Sequence, residues 1–441
     1  MFRLSLFLPL ILFIGCMKPA PDLPLTIIIS GDTAGWIVPC GCASNQSGGL
    51  PRRGTFVEEQ RKQGSVILAE VGGAASGITL YDKLKFEAIV RGEAAMDIAV
   101  HNIGQAEAQL GIDMLKQLHE KWETPWISAN TTNIAGNPLV EPARMVTSGN
   151  RKILFIGVLS QQYATEEIRI SPPLQAVLKV LQEQVGKYER AFVLAYMPEN
   201  ELWALAENLP EVDAVVGGPT GQPVPPTYPQ GSVLVTSATK QGKFLVVLTL
   251  PANNEKMNGA IVELDKRFAD DAVQVTNIQK FYAELRQRDL VPSDTPFVRR
   301  PLMSSEVFVG SRTCQDCHED EYRFWRRTRH ANAWESLVKQ EAHRYGAQYD
   351  PDCQRCHVTG YGLLGGFETV ALSNVALASE RYNVGCESCH GGSAEHCKVT
   401  TVSTPVGKRA NEQCLMCHDQ ENSPLFDFDT YWDKIKHAIV E

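Results

Sequence analysis

The stretch VGCESCHGGSAEHCK, Val384–Lys398, holds three cysteines and two histidines in fifteen residues. Its CESCH core, Cys386, Cys389 and His390, is a C-x-x-C-H unit. Three more units share that spacing: Cys314, Cys317 and His318 in CQDCH; Cys353, Cys356 and His357 in CQRCH; Cys414, Cys417 and His418 in CLMCH. With 12 Cys and 10 His in 441 residues, chance placement yields far fewer than one such unit. Two thiols three residues apart can each add to one vinyl group of the same haem, and the adjacent histidine then reaches the iron as proximal ligand. Zinc sites and disulfide frameworks also use C-x-x-C pairs, but zinc ribbons do not require a histidine after every second cysteine. Four covalently bound haem c groups are therefore expected. A segment of roughly 135 residues wrapped on them should be mostly helical and irregular, with the haems supplying much of the core.

A haem iron dedicated to electron transfer usually takes a second axial ligand. Four further histidines stand in this third of the chain, His330, His343, His396 and His437, while Cys397 is left over as a thiol. Helices are expected over DEYRFWRRTRHANAWESLVKQ and DTYWDKIKHAIV, joined by Gly and Pro loops. The order VGSRTCQDCH, FWRRTRHANAW, DPDCQRCHVTGYG, GGF, VGCESCHGGSAEH, CLMCHDQENSPLFD, YWDKIKH resembles the tetrahaem cytochrome c-554 family of bacterial extracytoplasmic electron carriers. The resemblance runs from about Val307 to His437. It implies electron transfer between extracytoplasmic donors and acceptors, with distal ligands at His330, His396 and His437. It also implies one five-coordinate haem, at Cys353 and Cys356, which keeps open an oxidoreductase acting on a small nitrogen or oxygen species. His343 matches no position of the family and stays as an additional axial candidate.

The first sixteen residues, MFRLSLFLPLILFIGC, carry one positive charge, an apolar run and then Gly15 and Cys16. That reads as an export signal over residues 1–15, too short to span a bilayer as a stable helix. A small residue before a cysteine resembles the lipobox of bacterial lipoproteins, which implies lipidation of Cys16 and a membrane anchor; a plain secretory signal is the alternative. Met17, rather than Asp, favours the outer membrane by the same analogy and places the protein in the bacterial cell envelope. The net charge of −9 argues against a nucleic-acid partner.

Residues 16–265 differ in pattern. Short apolar strands such as LTIIIS, SVILAEV, KILFIGVLS and KFLVVLTLP alternate with amphipathic segments such as AEAQLGIDMLKQLHEKW, an α/β layered fold. Residues 266–304 read as a helix, about Val275–Gln287, and a Pro-containing connector with no low-complexity tether, so the α/β part and residues 305–441 are expected to pack together. The segments SGDTAGWIVPCGC, GGLPRRGTFVEE, ILAEVGG, DIAVHN, ISAN and VVGGPTGQP resemble the metallophosphoesterase domain of the 5′-nucleotidase family. That family holds two divalent ions on a set of Asp, Asn and His ligands. Asp32 and Asn102 match it, but Ala34, Gly73, Ile103, Pro219 and Gly221 stand where other ligands belong, so hydrolysis of phosphoesters is not expected. Cys40 and Cys42 lie on the loop after the first strand. A disulfide between residues two apart is badly strained, so they are a candidate thiol site, either redox-active or metal-binding, or else an inert pair.

Overall fold

The computed structural model describes residues 24–39, 46–229, 231–251, 255–297, 307–339, 346–373, 379–405 and 411–437. In the strand Leu25–Ser30 side chains alternate between two faces. Ile28 joins a core beneath four helices, while Leu25, Ile27 and Ile29 enter a second core between two sheets. Both faces are buried, as expected of parallel strands that read as continuous apolar runs.

The first sheet has the order Asn258–Glu263, Phe244–Leu250, Leu25–Ser30, Ser65–Glu70, Val100–Asn102, Trp126–Ile127, with the last four parallel. The second has the order Val224–Thr227, Leu234–Ser237, Ala214–Gly218, Arg190–Tyr196, Arg151–Leu159, Ala143–Ser148. Ile27, Ile29, Phe155, Phe192 and Leu194 meet between them. Helices Leu50–Arg61, Leu80–Ala95, Gln105–Trp122 and Ala272–Arg288 cover the outside of the first sheet, and Pro173–Gln184 and Glu199–Glu207 cover the second. The expected α/β layered fold is thus a four-layer α-β-β-α sandwich.

The helix Ala272–Arg288 starts at Asp271, whose side chain accepts from Gln274 N (2.9 Å), and ends at Asp289 in the left-handed region. Ile278, Phe281, Tyr282 and Leu285 on it are buried in the outer core of the first sheet. The helix read within residues 266–304 is therefore one of the four that form the outer layer on the first sheet.

From Val307 onward the described elements are helices of four to eight residues and single turns. Their largest apolar cluster is small: Val358, Tyr361, Phe367 and Val370, with Trp334 stacked on Tyr382 at 4.2 Å. The helix expected over 320–340 is broken into Glu319–Trp325, a turn at His330–Asn332 and Ala333–Val338. Thr328 turns its hydroxyl back to Trp325 O (2.8 Å), and Val384 N donates to His330 O (3.1 Å). The break places His330 against the segment before the third motif. Among the described residues no helix is long and apolar enough to cross a membrane.

Candidate haem centres and a vestigial metal site

Motifs two and three lie on Pro351–His357 and Cys386–His390, whereas in motifs one and four only Cys314 and Cys414 lie on a helix, Ser311–Gln315 and Asn411–Leu415, and the second cysteine and histidine follow in the next turn. Cys386 N donates to Ser311 Oγ (3.0 Å), and Arg355 of motif two reaches Asp419, next to motif four, at 4.0 Å. Motif one thus lies beside motif three, and motif two beside motif four. The first pair is tied by Glu387, a buried carboxylate inside CESCH that accepts from Val309 N, Gly310 N (2.7 Å) and Ser393 N (2.9 Å).

Three histidine pairs face one another. The ring centres of His318 and His396 are 6.1 Å apart, those of His330 and His418 6.2 Å, and those of His390 and His437 5.9 Å. Two metal–nitrogen bonds of about 2 Å, plus roughly 1 Å from each ligating nitrogen to its ring centre, sum to about 6 Å. The spacing therefore suits one iron between each pair. His396 Nδ1 lies 2.7 Å from Val402 O and His418 Nδ1 lies 3.0 Å from Ser423 Oγ, which leaves Nε2 as the outward nitrogen. His357 Nδ1 is fixed in the same way by Ala333 O at 2.7 Å. Among the described residues no second histidine ring is recorded against His357. His343, Cys16, Cys40 and Cys42 lie outside the described residues.

The vestigial site is closed by packing. Asp32 Oδ2 accepts from Thr239 Oγ1 (2.8 Å) and Lys240 N (3.1 Å), and burial holds its carboxyl above the usual range. Asn102 Nδ2 donates to Val71 O (2.7 Å) and Val158 O (3.1 Å). At Gly73, which has φ +76, a Cβ would collide with the ring of Tyr196, so the tyrosine fills the room of the missing carboxylate. Among the described residues no three His, Cys, Asp or Glu side chains are arranged to hold a metal ion. This donor set does not fit a pair of divalent ions.

Beneath it lies a buried charge cluster that the sequence reading missed. Arg53 sits 3.5 Å from Glu70 and 3.7 Å from Glu93, and donates to Ser30 (3.1 Å) and Thr33 (2.8 Å). His101 Nδ1 is 2.8 Å from Glu93 and its Nε2 is 3.9 Å from Glu107, whose carboxylate accepts from Ala74 N (2.6 Å) and Ala75 N (3.1 Å). Burial alone would lower the His101 pKa, but Glu93 and Glu107 hold it up at about 10. Glu70 is pushed up to about 7 by burial and by Glu93 beside it. The available signal was a charged residue closing or interrupting an apolar run, as Glu70 does in SVILAE and His101 in IAVHN.

Residues 313–391 match the family model described as cytochrome c554 and c-prime. The chain is similar to cytochrome c-554 of Nitrosomonas europaea, with 33% identity over 28% of this chain and 63% of that protein. It is also similar to the C-type polyheme cytochrome OmcB of Geobacter sulfurreducens, with 30% identity over 20% of this chain and 12% of that protein. The matches thus span less than two thirds of either relative. Among solved structures, a 5′-nucleotidase precursor from Thermus thermophilus superposes with TM-score 0.52 at 18% identity, covering 60% of this chain and 59% of that one. The calcineurin-like phosphoesterase YfkN of Bacillus subtilis does so with TM-score 0.51 at 16% identity, covering 60% and 98%. At such identities the likeness is one of fold. The two expected resemblances hold: residues 313–391 are similar to the cytochrome c554 and c-prime family, whose likeness implies covalently bound haem c, and they follow a sandwich with the fold of the 5′-nucleotidases and calcineurin-like phosphoesterases.

Proposed function

We propose that the chain is an exported, lipid-anchored tetrahaem cytochrome c that passes electrons between extracytoplasmic donors and acceptors. The carrying observation is the three histidine pairs at 5.9 to 6.2 Å, each containing the histidine of a C-x-x-C-H motif. Cys314 and Cys317, Cys353 and Cys356, Cys386 and Cys389, and Cys414 and Cys417 hold the four haems. His318, His357, His390 and His418 are the proximal ligands, and His396, His437 and His330 close the first, third and fourth centres. Haem supplies a one-electron iron couple when bound. The chain's own part is to orient the imidazoles through their Nδ1 contacts and to keep small molecules off the closed irons. Helix Cys386–His390 packs against both Ser311–Gln315 and Asn411–Leu415, and Arg355 reaches Asp419 beside motif four, so the order one, three, four, two supports a continuous electron path. Lipid on Cys16 would hold that path at the outer membrane.

Intact-mass measurement of the native chain tests this reading and should show four haem masses. Changing both cysteines of one motif to Ser should remove one mass each time. Cys16→Ser should move the protein from the membrane to the soluble fraction.

His357 favours a second reading, since it is the proximal histidine without a recorded ring partner among the described residues. A small nitrogen or oxygen species could then react at that centre. Carbon monoxide added to the dithionite-reduced protein decides it. A spectral change worth one haem in four supports chemistry at His357; no change means that four closed irons serve as a carrier alone.

A further inference from the structure

The role of a phosphoesterase fold without its metal ligands is explained by what its second helix touches. Leu80–Ala95 begins with a capping box in which Thr79 and Asp82 satisfy each other's backbone N–H. In its first turn Tyr81 is fully buried, and its hydroxyl donates to the carboxylate of Asp350. Asp350 is the N-cap of Pro351–His357: its side chain accepts from Asp352 N (3.0 Å), and its carbonyl from Cys353 N (3.0 Å) and Gln354 N (2.9 Å). One turn along, Lys85 Nζ lies 3.4 Å from Asp352 and 4.6 Å from the Tyr81 ring centre. Arg355 pairs with the same Asp352 at 2.9 Å and lies over Phe297. The seven residues Pro351–His357 contain both cysteines and the histidine of the second motif, so the α/β unit fixes the start of that whole segment. A further contact to the C-terminal region, Lys243 with Glu421 at 2.8 Å, is half-exposed and lies on a loop beyond the fourth motif.

We infer that the phosphoesterase-like domain serves as the mould and the charge setting of the haem centre at Cys353, Cys356 and His357, with Tyr81 and Lys85 as its positioning residues. The inference rests on the tetrahaem reading proposed above. Asp350 and Asp352 stand beside this centre against Lys85 and Arg355, the latter shared with Asp419 at 4.0 Å. In a buried setting a single uncompensated charge is weakly screened. Removing Lys85 takes away one positive charge, which stabilises the more positive ferric state and lowers the potential of that haem.

The test is a spectroelectrochemical titration of the full, haem-loaded chain and of Lys85→Met. One component in four is expected to shift to more negative potential while three stay in place, and Lys85→Arg is expected to restore it. If Lys85→Met accumulates with three haems, and the bare peptide is the one with Cys353 and Cys356, the moulding role is supported directly. Unchanged potentials in a fully loaded Lys85→Met, or an equal shift of all four, overturns the inference. Tyr81→Phe, which keeps every charge, provides a second check: its haem loss should be confined to the same peptide, and full, unselective occupancy counts against the mould. A wild-type chain lacking four haem masses refutes the tetrahaem reading instead, so the two failures are distinct.

Discussion

At Gly73 the chain lacks a carboxylate and also the room for one. Gly73→Asp would introduce the carboxylate expected at that position from the resemblance, but it must adopt a positive φ and drive its Cβ into Tyr196. The expected outcome is a loss of roughly 2–5 kcal/mol from strain and overpacking, read by thermal unfolding, with no gain of phosphoesterase activity. His101 makes a prediction with a definite sign. Its pKa is about 10 in the fold against an ordinary 6.5, so the folded state holds its proton more tightly. That stabilisation is complete below pH 6.5 and is lost as pH rises through about 10. Glu70, at about 7 against 4.5, adds a loss of the same sign at lower pH. Urea midpoints should therefore fall from pH 6.5 to 10, and His101→Gln should flatten that slope. The C-x-x-C-H motifs were legible because their residues are close in sequence and their spacing recurs four times. Arg53, Glu70, Glu93 and His101 were not, because their partners are set by which strand ends and helix faces converge.

Legibility differs in the same way among elements. Strands buried on both faces announced themselves as apolar runs, whereas Ala143–Ser148, Val224–Thr227 and Asn258–Glu263 went unread. They are half-exposed edge or near-edge strands with mixed patterns, ARMVTS, VPPT and NGAIVE. The helix Leu80–Ala95 also went unread. It buries Tyr81, Leu84, Phe86, Ala88, Ile89 and Val90 around most of its circumference, so it has no polar face to give a 3.6-residue rhythm. The junction between motifs one and three is carried by two side chains, Glu387 and Ser311, whose Oγ accepts from Cys386 N at 3.0 Å. Glu387→Ala would leave the buried amides of Gly310 and Ser393 and the part-buried amide of Val309 without an acceptor, at about 1–3 kcal/mol each where water cannot replace it. The expected outcome is a lower urea midpoint for the haem-containing region, followed by haem absorbance, with the far-UV signal of the sandwich persisting to higher urea.

Across the whole molecule the charge is uneven. The chain carries −9, yet Arg326, Arg327 and Arg329 are exposed beside His330, while Arg323 is occupied by Glu319 and Asp320. A local positive field steers anions toward that centre and is screened by salt within about 10 Å at 0.1 M. Oxidation of the reduced protein by ferricyanide should slow with ionic strength, and reversing Arg326 and Arg327 to Glu should slow it severalfold at low salt. The same variant should react faster with cationic hexaammineruthenium. The existence of two unlike regions was legible from composition and motif density alone, but their mutual fit was not, because Tyr81 and Asp350 stand 269 residues apart. That separation bears on the order of assembly. Closing so long a loop costs entropy before the contact returns any energy, so the hydrogen bond between these two residues belongs to the end of folding. The segment of Cys353 and Cys356 takes its final seat only once the sandwich is complete. An error early in the chain would then surface as a defect in a cofactor bound near its far end.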